Sequence, residues 1–139
     1  MSEPALHHIG YVVASIPDAI EQWGRSLGAT RISEVFEDPI QQVHVAFLDL
    51  PGGPGAAQVE LVTGLGPKSP VARLQAQGGG LHHLCFLVDD LEAHIAAMKR
   101  EKALLIRSPV PAVAFEGRRI AWMMTRERLL VEYLEREQR

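Results

Sequence analysis

A chain of 139 residues has the size of one ordinary domain, and with hydrophobic residues at 47% and charged residues at 22% it can bury a core. A net charge of −3 and a pI near 6.1 leave no basic footprint for nucleic acid. The single cysteine, Cys85, excludes an internal disulfide, no apolar run reaches the ~20 residues of a membrane helix, and the opening MSEPALHH carries no secretory pattern, so the expected compartment is the cytoplasm.

Residues 6–13 (LHHIGYVV) alternate in character and predict a strand. Parity puts His7 with Ile9, Tyr11 and Val13, the larger apolar set, which packs on a helix, and turns His8 to the other face. Ser15, with Pro17 behind it, caps a helix whose Ile16, Ala19, Ile20, Trp23 and Leu27 make one apolar face and which Gly28 ends. Strands are predicted at 30–37, 41–49 and 56–63. In 41–49, Val43, Val45 and Phe47 read as the helix-facing set, which turns Gln42 and His44 the other way; in 56–63, Val59 and Leu61 face the helix while Gln58 and Glu60 point away. The Gly- and Pro-rich run 64–80 reads as a connector, with Ser69 and Pro70 as N-cap and first residue of one short helix through Val71 and Leu74. A strand at 81–88 follows. Asp90 caps a helix over 91–101 whose Leu91, Ile95 and Met98 are buried, and strands near 103–107, 118–124 and 128–135 complete the chain, with Glu132 pointing opposite to Val131 and Tyr133.

The chain repeats itself. LHHIGYVV at 6–13 and LHHLCFLV at 81–88 are offset by 75, and the match continues from Ile16 to Leu91, Ile20 to Ile95 and Trp23 to Met98. The reading is one α+β domain over 1–139 made of paired βαβββ modules, module one at 6–63 and module two at 81–135, related by a pseudo-twofold axis. Within the repeat, His8 precedes Glu60 by 52 residues and His83 precedes Glu132 by 49. A histidine on a strand is by itself more often structural, and a glutamate on a sheet face is usually solvated. Recurrence of both types at similar spacing changes that balance. Two imidazoles and two carboxylates suit one divalent first-row metal ion, and octahedral coordination would keep two positions for water or substrate. His7 and His82 read as structural.

On these strings the sequence resembles the vicinal oxygen chelate superfamily, which includes glyoxalase I, methylmalonyl-CoA epimerase, extradiol dioxygenases and bleomycin-resistance proteins. The resemblance covers residues 6–135 and is strongest to the epimerases. LHHIGYVV resembles their opening strand, VELVTGLGPKSPVARLQAQGGGLHHLCFLVDDL their middle, and RRIAWMM with LLVEYL their closing hairpin. The closing hairpin, MMTRERLLVEYLE, departs from theirs in lacking a His-Pro and a Gly-rich turn.

The resemblance implies a cup-shaped mixed sheet with helices outside, a homodimer, and one divalent ion (Co, Ni, Zn or Mn) held by His8, Glu60, His83 and Glu132. It implies enolate chemistry at the carbon next to a carbonyl, with a small-molecule substrate such as an acyl-CoA. His44 is the first candidate for the general base, since imidazole is the side-chain type suited to proton transfer near neutral pH and parity places it on the site face, where a lining role is the alternative. Glu60 and Glu132 are the other candidate bases. Gln42 and Gln58 would orient water or substrate, and Ser69 and Arg119 would contact it. Arg73, Lys68 and Arg118 are further cations, and Phe115 and Trp122 either wall the site or belong to the core. A glyoxalase I-like lactoylglutathione lyase remains an alternative, as does a non-catalytic small-molecule-binding or resistance protein, whose relatives commonly lack the quartet.

Overall fold

The computed structural model describes residues 3–53 and 55–137. They form two compact units, one of His8–His82 and the other of the residues from His83 onward together with those up to His7.

In the first unit the strand order is β2 (Thr30–Arg31), β4 (Val43–Asp49), β5 (Gln58–Gly64) and β1 (Ala5–Val12), with β3 (Phe36–Asp38) pairing β4. β1 runs parallel to β5 and the other pairs are antiparallel. The helix α1 (Ile16–Leu27) begins as its sequence demands: Ser15 accepts a hydrogen bond from the Asp18 amide, and Gly28 closes the helix in the left-handed conformation. Its inner face, Ile16 and Ala19, packs with Val13 on Ala46, Leu48, Val59 and Leu61.

Two expectations are corrected here. The single strand 30–37 is two short strands, because the intervening backbone turns through Ser33, whose hydroxyl accepts the Phe47 amide at 2.8 Å and whose carbonyl accepts Arg31 Nε at 2.6 Å. In β4 the face assignment is reversed. Ala46 and Leu48 pack on the helix, while Phe47 pairs across with Glu60 on the other face. Val43, Val45, Ala46, Phe47 and Leu48 are all buried, so β4 carries no polar face from which parity could be read.

The helix α2 (Ala72–Ala76) starts two residues later than expected and has no side-chain cap. Ser69 instead accepts the Val71 amide just upstream, which leaves Pro70 outside the helix. Gln75 ties the helix to the sheet by accepting the Gly64 amide at 2.8 Å.

In the second unit the order is β6 (Gly80–Val88), β9 (Leu130–Glu135), β8 (Arg119–Met124) and β7 (Leu104–Pro111), with β6 parallel to β9. Asp90 caps α3 (Leu91–Arg100) by accepting the Ala93 amide. Leu91 and Ile95 pack on Val88, Ala121, Met123, Val131 and Tyr133. β7 runs further than the expected 103–107 because it stays paired to β8 through two register shifts. No helix among the described residues is long and apolar enough to cross a membrane.

Candidate metal centre

The two units repeat one local arrangement. In the first, β1 and β5 run parallel with His8 beside Gln58 and Gly10 beside Glu60. His8 and Glu60 share the sheet face away from α1, as parity predicts. Both are buried, and His8 Nε2 lies 3.5 Å from a Glu60 carboxylate oxygen. Phe47, the antiparallel partner of Glu60, sets its ring edge-to-face against His8 at a centroid distance of 5.4 Å.

The second unit does the same with different residues. His83 Nε2 lies 3.4 Å from a Glu132 carboxylate oxygen, and both side chains are buried. Trp122, the antiparallel partner of Glu132, packs edge-to-face on His83 at 4.7 Å. Phe47 and Trp122 are themselves 75 residues apart, the repeat offset. The aromatic wedge is therefore part of the duplication. The offset is the signal that reveals it in the sequence, and the assignment of Phe47 to the helix face hides it.

Burying a carboxylate and an imidazole together is costly unless charge or a ligand compensates. Ligand atoms bound ~2.1 Å from one ion sit about 3.0–3.4 Å from their neighbours around it. Separations of 3.5 and 3.4 Å within the two pairs match two such edges. Each pair, with its one nitrogen and one oxygen donor, is therefore of a kind that fits a divalent cation.

The other expected site residues fall elsewhere, save Gln58, which shares the Glu60 face. His44 shares its face with Ala46 and Leu48, on the helix side of β4, and its imidazole stands 3.4 Å from the exposed Glu37 carboxylate. The inversion of parity in β4 carries it away from Glu60. Gln42 lies in the turn before β4, with φ 59°, so it is not a strand residue. Ser69 is buried with its hydroxyl used in the local turn. Phe115 is core and sets its ring edge-to-face against His7 at 5.4 Å.

Arg119 shares the helix-facing parity of Ala121 and Met123. It is held by two carboxylates, with Nη1 2.6 Å from Glu92 and Nε 3.1 Å from Glu135. The Arg119 hydrogen bond holds the Glu92 carboxyl below its ordinary value. Burial pushes Glu135 up, but hydrogen bonds from Arg119 outweigh it and leave that carboxyl lowered as well. Arg119 thus ties α3 to β8 and β9 and is engaged on the side opposite His83 and Glu132.

Comparison with known proteins meets this geometry. A family model described as the Glyoxalase/Bleomycin resistance protein/Dioxygenase superfamily matches residues 7–122. The chain belongs to this superfamily. Among the relatives of this superfamily member, an ethylmalonyl-CoA/methylmalonyl-CoA epimerase of Cereibacter sphaeroides is 28% identical over 120 residues, 85% of this chain and 86% of that protein. The uncharacterised YqjC of Bacillus subtilis is 35% identical over 134 residues, 94% of this chain and 91% of that protein. The crystal structure of a methylmalonyl-CoA epimerase from Mycobacterium tuberculosis is 27% identical, covers 96% of this chain and 88% of its own, and superposes with a TM-score of 0.81. The glyoxalase-type α+β fold that the resemblance implies is thereby shown.

Proposed function

We propose that this superfamily member is a divalent-metal-dependent epimerase of the methylmalonyl-CoA epimerase kind, acting at the carbon next to the carbonyl of an acyl-CoA, with His8, Glu60, His83 and Glu132 as the four ligands of one ion. The observation that carries the reading is the duplicated, buried His–Glu pair, each wedged by an aromatic ring from the strand beside its glutamate. That donor set is of the kind that holds a metal ion. The epimerase names among its relatives support the reaction class.

A bound divalent ion would supply the electrophile that polarises the carbonyl oxygen and eases loss of the neighbouring proton. The imidazoles of His8 and His83 hold their position through the Phe47 and Trp122 rings. The carboxylates of Glu60 and Glu132 are buried on these faces, one in each unit, and two such groups would allow a proton removed on one side of a planar carbon to be returned on the other. Gln58, beside His8 on β5, would orient a substrate oxygen or a water. His44 has no part in this chemistry.

The experiment is solvent deuterium incorporation into methylmalonyl-CoA by protein loaded in turn with Co, Ni, Zn or Mn. Incorporation at the α-carbon that chelation abolishes is expected. Its absence with every metal removes the substrate, and turnover of a glutathione hemithioacetal under the same conditions would move the reading to the lyase.

A further inference from the structure

The register of β7 against β8 changes twice around one residue. Leu104 and Leu105 pair with Met124 and Met123, but Arg107 pairs with Trp122 and Val110 with Ile120, with shifts between Leu105 and Arg107 and again between Arg107 and Val110. Leu105 packs into the cluster beneath α3. In an unbroken strand Arg107 would share that face. A bulge inserts a residue, restarts the alternation and re-aims the side chain, and bulges recur beside active sites for that reason. Here the shift makes Arg107 the cross-strand partner of Trp122, which is in turn the partner of Glu132. Cross-strand partners project on one face. Arg107, Trp122 and Glu132 thus form a row across β7, β8 and β9 on the face where Glu132 meets His83.

Two strand spacings, about 10 Å, separate the backbones of Arg107 and Glu132. Arg107 is partly buried, and no carboxylate among the described residues pairs with it. Arg119, by contrast, is taken up by Glu92 and Glu135 on the opposite face. An arginine in this row, its planar fork taken up by no carboxylate among the described residues, can receive a carboxylate or a phosphate through two parallel hydrogen bonds.

We propose that Arg107 is a specificity-determining residue that binds an anionic oxygen group of the substrate, on the face that carries His83 and Glu132. The inference rests on the metal-dependent acyl-CoA reading for the kind of substrate, and its test is separable from that reading. Metal-loaded protein is titrated calorimetrically with malonyl-CoA, with malonyl-pantetheine, which keeps the carboxylate and loses the nucleotide phosphates, and with propionyl-CoA, which does the opposite. Arg107→Gln is expected to weaken malonyl-CoA at least tenfold, and Arg107→Lys, which keeps charge but loses the fork, at least threefold. The rise in Tm on adding Co should stay as in the wild type in both, which reports an intact fold and metal centre.

A loss that persists with malonyl-pantetheine assigns the carboxylate, and one that persists with propionyl-CoA assigns a phosphate. Affinities within twofold of wild type in the folded variants overturn the proposal, as does failure of the metal-loaded wild type to bind any of the three. Deuterium exchange judges the reaction separately. Arg107-dependent binding without exchange removes the epimerase and keeps the anion site, whereas exchange with Arg107-independent binding does the reverse.

Discussion

At the scale of single residues, strand parity decides which side chains can act together, and one inverted parity moves a candidate base off the site. His8, Glu60, His83 and Glu132 each lie on strands whose opposite parity carries the larger apolar set, and their faces are readable. Arg119 shows what an arginine does when parity turns it towards a helix. Its partners Glu92 and Glu135 are both lowered from their ordinary values. Carboxyls lowered in the folded state stabilise it above their unfolded pKa, near 4.3, and that contribution is lost as pH falls through the lowered values. Arg119→Met should therefore lower Tm by no more than about 3 °C at pH 7, since its side chain is 40% exposed and solvent screens the pairs. It should also flatten the loss of stability between about pH 5 and pH 3. Thermal melts at pH 7, 5 and 3.5 check this. An acid slope as steep in the variant as in the wild type would exclude the clamp as its source.

At the scale of elements, glycine in the connector sets how closely it can approach β1. Gly79 has φ +88°, and a Cβ there would stand 2.2 Å from the Val12 carbonyl oxygen. Gly78 has φ +104°, but a methyl group there would meet nothing within 4 Å. Gly79→Ala should cost about 2–4 kcal/mol, from backbone strain plus a clash with a carbonyl that cannot swing aside, whereas Gly78→Ala should cost about 1–2 kcal/mol from strain alone. Urea titration of both variants measures the difference, and equal losses would sink the close-approach argument.

The sequence carries the elements unevenly. Capped amphipathic helices such as α1 and α3 are legible to within a residue or two, because Ser15, Asp90 and Gly28 do locally what their types prefer. β4 is not, because a strand buried on both faces has lost the polar alternation that marks its inner side. Nor are the split at Ser33 or the bulges around Arg107, since both are settled by the neighbouring strand rather than by the residues themselves. The quartet is visible as a candidate because duplication wrote the same pair twice. The aromatic wedges escape because Phe47 reads as core, and Arg107 because only the register reveals its face.

At the scale of the whole molecule, the proposal that both His–Glu pairs serve one ion makes stability a property of the metal and of both units together. A ligand that binds only the folded state stabilises it by about 2.7 kcal/mol at a hundred times its Kd. For a chain of this length that is a rise in Tm of roughly 8–12 °C. One shared ion and two independent ions predict different behaviour in variants. Glu60→Gln and Glu132→Gln each remove one donor from a different unit, and amide for carboxylate is close to isosteric, so the packing around His8 and His83 changes little. If the ion is shared, either substitution alone should weaken it about a hundredfold or more and abolish most of the metal-induced shift, and the double variant should add almost nothing, as residues acting as a unit do. If each pair held its own ion, each single variant would keep roughly half the shift and about one ion by elemental analysis, and the double variant would lose both. Melting curves with and without Co, paired with metal content per chain, separate the cases. A stoichiometry near two in the wild type, with additive losses, would leave the strand assignments intact and break the link between the duplicated halves on which the epimerase reading depends.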